Sequence, residues 1–272
     1  VTKTAPIPAK KQREKRIARG AVAHYEDAAY YDYTYRRRQD DIAFYAALAA
    51  DAGEVLELGV GTGRVAFEAA LAGAVVTGVE RVPAMLTQAR NTLATLPEDA
   101  LARVTLKRGD IRKVRLKRRF KLVTSPFNVF MHLYTRRDVE EALATVRAHL
   151  APRGRFVFDV SMPDLRAMVR APGKLYKGPS FTHPHSGKRY LYFEAFEYDV
   201  LRQVQMVSMV FQGTEDLGDM RSVPLSQRQF FPQELEGLLH YNGFAVEKVY
   251  GDFQRGSLTE DSESQVVVAK LR

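Results

Sequence analysis

Short continuous apolar runs alternate along this chain with stretches whose apolar residues recur every three or four positions. Residues 54–58 read as a buried strand, 65–72 as an Ala- and Leu-rich helix, and 74–80 as a second strand. The alternation continues with a helix opening at Pro83 and strands over 103–111 and 120–125. A strongly periodic helix over 139–150 and a strand over 155–160 follow. This order predicts an α/β fold, a doubly wound seven-stranded sheet that is mostly parallel. After residue 161 the period changes. A short helix over 162–169 gives way to strand-like runs over 189–198, 202–211 and 222–231, the pattern of an inserted antiparallel sheet. Helix and strand signals resume with a helix from Pro232 to Asn242-Gly243, a strand over 244–250, a polar loop over 251–263 and a last strand over 265–270. The expected organisation is a core of 21–160 and 230–272, an insertion of 161–229 that covers the ligand crevice or makes a dimer contact, and residues 1–20 as a disordered tail or frayed surface helix.

The candidate chemistry sits between the first two strands. Gly59-Val60-Gly61-Thr62-Gly63-Arg64 is a turn through which a backbone can approach a ligand closely, and Glu80, ending the second strand, can accept both hydroxyls of a ribose. Strand, glycine turn, helix, strand and terminal acid form a unit suited to a nucleoside. The spacing is G-x-G-x-G, not the G-x-G-x-x-G of dinucleotide sites, and Glu57 stands two residues before the first glycine. The glycines alone are equally consistent with a tight turn that binds nothing; Glu57 and Glu80 favour the ligand.

With these residues in view, the chain resembles the class I S-adenosylmethionine-dependent methyltransferases, whose first motif is hydrophobic-Glu/Asp-x-G-x-G-x-G. The resemblance implies that S-adenosylmethionine is the cofactor, held by Glu57, Gly59, Gly61, Gly63, Arg64, Glu80, Arg81 and Met85. Asp110 at the exit of the third strand would accept the adenine amine, with Ile111 beside it. Pro126 and Phe127, after the fourth strand, would line the crevice. An N-terminal Tyr- and Arg-containing helix, here with Tyr31 and Tyr35, would close over the cofactor. The loop Pro126-Phe127-Asn128-Val129-Phe130-Met131-His132 is similar to that of a subgroup acting on small molecules, amino-sugar N-methyltransferases among them. It makes Asn128, His132 and an N-terminal tyrosine, Tyr25, the candidates for shaping the acceptor pocket, with His132 taking a proton or only orienting the acceptor. The expected reaction is methyl transfer to the amine or hydroxyl of a small molecule. Arg112-Lys113 and Arg118-Arg119 depart from the family, which usually carries acids there.

Charge and composition adjust this picture little. The chain has 272 residues, 46% hydrophobic, enough for a full core. It contains no cysteine, which excludes disulfides, thiolate metal sites and thiol nucleophiles; with no apolar run near bilayer length and no signal-peptide h-region, the expectation is a cytoplasmic protein that avoids membranes. Of the net charge of +9, seven bases against Glu14 place +6 in residues 1–20, and a second basic stretch runs over 103–121. Solvated surface accounts for both; attraction to an anion, including RNA, is the alternative, weakened because Ser125-Pro126-Phe127-Asn128 does not match the Asp/Asn-Pro-Pro-Tyr/Phe motif of base-amine methylation. A third reading is a non-catalytic module that keeps the nucleoside pocket and assembles through the inserted sheet. His183-Pro184-His185 lacks a third ligand nearby, so no metal is expected and the two histidines read as surface-loop residues.

Overall fold

The computed structural model describes residues 10–272. In chain order the elements are α1 (Lys10–Gly20), α2 (Ala28–Tyr35), α3 (Asp40–Ala52), β1 (Glu54–Leu58), α4 (Arg64–Leu71), β2 (Val75–Glu80), α5 (Pro83–Leu93), α6 (Glu98–Leu101), β3 (Val104–Arg108), β4 (Phe120–Ser125), α7 (Arg136–His149) and β5 (Leu150–Ser161). Then come α8 (Leu165–Met168), β6 (Tyr176–Lys177), β7 (Phe181–Thr182), β8 (Arg189–Asp199), β9 (Val204–Gly213), β10 (Met220–Arg228), α9 (Pro232–Tyr241), β11 (Phe244–Tyr250) and β12 (Ser264–Leu271). Single 3₁₀ turns occupy Ala23–Tyr25 and Val129–His132.

The described residues divide into two compact units, one of residues 25–164 with 228–272, the other of residues 10–24 with 165–227. The first is the doubly wound unit. Its seven-stranded sheet has the order β11-β12-β5-β4-β1-β2-β3. Strands β1 to β5 pair in parallel, and β12 lies antiparallel between β5 and β11. The strand order reverses at β1, which has β2 on one side and β4 on the other, so a crevice opens at the carboxyl ends of β1 and β4. The strands there are largely apolar because helices cover the sheet, with Leu56, Val123, Phe156 and Phe158 fully buried; Glu57 and Asp159 are buried exceptions. Helix α7 begins with a complete capping box, Thr135 and Asp138 bonding each other's backbone amides, which fixes the chain leaving the loop after β4.

The second unit is a five-stranded sheet in which β6, β7 and β9 all pair antiparallel to β8. Three features differ from the sequence expectation. The two-residue strands β6 and β7 are too short to leave a periodic signal. Residues 10–20, expected in a tail or frayed helix, form α1 and belong to this unit; residues 1–9 lie outside the described residues. The bases of α1 are not all solvated. Arg13 and Arg16, one helical turn apart, both reach Glu197 on β8 (3.2 and 2.8 Å), and Ser226 donates to the carbonyl of Ile17 at 2.8 Å. A Cβ on Gly20 would sit 2.8 Å from Ser226, so the helix end meets β10 only because that residue is glycine. His183 also departs from expectation: it is buried, and its Nδ1 accepts the amides of His185 and Ser186, closing the turn before β8. No group of three metal-binding side chains occurs among the described residues.

Candidate active site

Parallel pairing of β1 and β2 sets Leu58 beside Val79, and the amides of Gly59 and Val60 both donate to the Val79 carbonyl (2.8 and 3.0 Å). The chain must then turn sharply into α4. Gly59, Gly61 and Gly63 all take positive φ, and two of them are also hemmed in: a Cβ on Gly59 would lie 2.5 Å from Val129, and one on Gly63 2.2 Å from Phe67. Gly61 is the open member, its notional Cβ meeting only the Met85 methyl at 3.5 Å. Here the second strand returns. Glu80 accepts the Gly61 amide at 3.0 Å on Oε2 and those of Arg81 and Val82 at 2.8 and 2.7 Å on Oε1. Burial pushes its pKa up, and the three amides restrain the rise. The two strand ends are therefore joined through one carboxylate, whose Oε2 retains a lone pair for a further donor.

The N-terminal segment closes on this turn. In α2, Asp32 accepts from Thr62 Oγ1 at 2.6 Å and from Gln88 at 3.2 Å, tying the helix to the glycine turn and to α5. Tyr31 and Tyr35 stand edge-on to each other, and both meet the ring of Phe127 (6.3 and 4.9 Å between centroids). Tyr25 donates to or accepts from His132 Nε2 at 2.6 Å, and His132 Nδ1 lies 3.1 Å from the Tyr134 hydroxyl. Burial, then the neighbouring tyrosines, raises the Tyr25 pKa well above normal, so the hydroxyl stays protonated.

Beneath the turn lies a buried charged network. Arg64, expected on the cofactor, instead grips the fully buried Asp41 with both guanidinium ends, donates to the Arg38 carbonyl and faces the Phe127 ring. It fixes the turn from below, because an arginine beside a buried carboxylate is held there. Glu57 is 3% exposed in the same environment; burial raises its pKa to about 8, Arg64 lowering and Asp41 raising it. Asp159 at the end of β5 accepts from Tyr45 (2.7 Å) and from the amides of Phe127 (2.8 Å) and Asn128 (3.3 Å). Those two residues are consecutive left-handed positions, φ 60° and 65°, so the carboxylate pins a corner the backbone disfavours. Asn128, expected to face an acceptor, commits its carbonyl oxygen to the backbone and side chain of Ser161 (2.6 and 3.1 Å). Pro126 is buried below this corner.

At the far side of the crevice, Asp110 follows β3, and the amide of Gly109 donates to the Glu80 carbonyl at 2.9 Å. Arg81 is half-buried and lowers the pKa of both Glu80 and Asp110, and Ile111 packs on the core. Burial alone would raise Asp110; its bonds with Arg112 outweigh that and hold it below the usual range. The candidates brought together are thus the three glycines, Glu80, Met85, the tyrosine–Phe127 cluster and the Tyr25–His132 pair. Arg64 and Asn128 are engaged by Asp41 and by Ser161 respectively. Asp32, Asp41, Tyr134 and Asp159 were not anticipated. Only Asp159, an acid interrupting the apolar run of 156–160, carried a signal that could have exposed it.

A family model described as a methyltransferase domain matches residues 55–154. The dTDP-3-amino-3,4,6-trideoxy-alpha-D-glucopyranose N,N-dimethyltransferase of Streptomyces venezuelae is 32% identical over 142 residues, 49% of this chain. The match spans 56% of that relative, little more than half its length. The solved CcbJ methyltransferase of Streptomyces caelestis is 30% identical, with 86% of this chain and 88% of that one covered and a TM-score of 0.72. CalS10, an amino pentose methyltransferase of Micromonospora echinaspora solved with S-adenosylmethionine (SAM) bound, shares the fold across 99% of this chain and 100% of its own, at a TM-score of 0.60 and 22% identity.

Proposed function

We propose, from the premise that this chain belongs to the class I S-adenosylmethionine-dependent methyltransferases, that it methylates the amine of a small molecule, an amino sugar or its conjugate. The observation that carries the reading is the Glu80 carboxylate joined to the glycine turn through Gly61, with Asp110 one strand further along. The donor set suits an adenosyl group: main chain with no side chain in the way, an acid for the sugar, and a second, ionised acid for the base. Gly61, Glu80, Met85 and Asp110 would hold it, and Tyr31, Tyr35 and Phe127 would keep water away.

Bound S-adenosylmethionine supplies a methyl group already activated by its sulfonium. The chain then has little covalent work to do. It must align an uncharged nucleophile, exclude water and manage one proton. Tyr25 and His132 suit this. Their 2.6 Å bond places a hydroxyl and an imidazole at one point, so the pair can orient an amine through its lone pair or N–H and take up the proton released. The dimethyltransferase relative acts on an amine of a nucleotide-linked sugar, which supports N- over O-methylation. Asn128, its carbonyl engaged by Ser161, acts by shaping the loop, and Glu57 acts from beneath the turn. We assign the antiparallel unit to acceptor choice or to self-association; sedimentation of the full chain separates them, a monomer at assay concentration removing the second.

Incubating the protein with S-adenosylmethionine and a panel of amino sugars and matched hydroxy sugars tests the whole reading. The expected result is S-adenosylhomocysteine formation with a one-methyl mass increase confined to amines. Turnover of hydroxy sugars alone would overturn the amine assignment; no S-adenosylhomocysteine with any acceptor would favour a non-catalytic binder.

A further inference from the structure

The proposal concerns Arg112, which the sequence presented as a departure from the family and a base on a solvated rim. It does not face solvent alone. Its main-chain amide and Nε donate to Asp110 Oδ1 (2.9 and 3.0 Å), and its Nε and Nη2 donate to Oδ2 (3.2 and 2.6 Å). The other arm, Nη1, reaches Asp138. Asp138 is the third residue of α7 and accepts the amide and hydroxyl of Thr135 (3.0 and 2.7 Å), closing the capping box. Thr135 directly follows Tyr134, whose hydroxyl meets His132. One guanidinium therefore spans two carboxylates that begin in different parts of the chain: the acid after β3 and the acid that fixes where the His132 loop enters its helix.

We propose that Arg112 is a positioning residue that aims Asp110 at the exocyclic amine of the cofactor's adenine and anchors that acid to the start of α7. The inference rests on the assignment of Asp110 to the base. A free aspartate two residues past a strand rotates about two bonds; one gripped across both oxygens by a fork of planar donors does not. The same grip keeps it ionised, hence an acceptor only, which is what an amine donor requires and what a ring carbonyl in that position repels. A lysine could supply the charge but not the fork.

The test compares two nucleoside probes, S-adenosylhomocysteine and S-inosylhomocysteine, the latter carrying an exocyclic carbonyl oxygen where adenine has its amine. Their dissociation constants are measured by calorimetry for the wild-type chain, Arg112→Ala and Arg112→Gln, with thermal melts of each. The wild type should prefer the adenosyl probe by roughly 100-fold, and Arg112→Ala should cut the preference about tenfold, chiefly by weakening the adenosyl probe. Arg112→Gln, which keeps the stem and one donor group, should fall between and provides the result if the alanine variant melts too low. An equal loss for both probes would reduce Arg112 to a structural role and overturn the proposal. A wild type that binds both probes equally would overturn the assignment of Asp110 itself, and the proposal with it.

Discussion

The proposed nucleoside end of the crevice and the proposed acceptor loop are built in opposite ways. At the nucleoside end the chain works with main chain and carboxylates close in sequence: the glycine turn and Glu80 lie within about twenty residues and meet through paired strands. The acceptor loop draws on distant segments. His132 is met by Tyr25, the Phe127 corner by Asp159 and Asn128 by Ser161, partners 107, 32 and 33 residues away. Local geometry fixes the first, and side-chain contacts impose the second. The loop should therefore fail more readily than the turn when one partner is removed.

Asp159 offers the sharpest break. Asp159→Ala would leave the amides of Phe127 and Asn128 and the Tyr45 hydroxyl unanswered below a left-handed corner, costing about 3–5 kcal/mol in stability. In a variant that still folds, such as Asp159→Asn, kcat should fall on the order of 100-fold while the S-adenosylhomocysteine dissociation constant moves less than about threefold. Equal loss of both would mean that the two ends are not separate.

This asymmetry also governs what the sequence could reveal. The alternation of strands and helices, the glycine turn and Glu80 were legible because each depends on neighbours a few residues away, where periodicity and spacing are direct records of geometry. Arg13, Arg16 and Arg112 read as solvent-facing in the sequence because their partners, Glu197 and Asp138, are far along the chain or beyond a turn. Arg64 followed the same rule: its position after Gly63 suggested a ligand, whereas Asp41 in α3 claims it. Asn128 lies in a loop whose composition looks functional, and its partner, Ser161, belongs to a strand end that no local pattern connects to it.

Glu57 tests how far the turn's support reaches. Its pKa, raised from 4.5 to about 8, means the folded state holds a proton that the unfolded chain releases as pH rises. This contribution is full below pH 4.5 and is lost between pH 4.5 and about 8, to a ceiling on the order of 5 kcal/mol. Glu57→Gln should remove that slope and melt higher than the wild type at pH 8 in chemical or thermal denaturation across this window. An unchanged pH profile would show the group to be ionised throughout.

Tyr25→Phe is the gentlest probe of the loop. It removes the hydroxyl bonded to His132 and keeps the ring against Tyr31, so kcat/KM should drop about tenfold with little change in melting temperature or cofactor affinity. Rates equal to wild type with an amino sugar held well below KM would leave the pair without a part in aligning the acceptor.

The claim beneath all of this is that the Glu80 carboxylate receives the cofactor's ribose while it ties the two strand ends. Calorimetric titration of S-adenosylhomocysteine into wild type and Glu80→Gln, with melting curves confirming that both are folded, measures it directly. Glutamine keeps one oxygen for the backbone amides but loses the charge, so we predict affinity at least about 30-fold weaker in a variant that still melts cooperatively. Unchanged affinity in that folded variant would contradict the account.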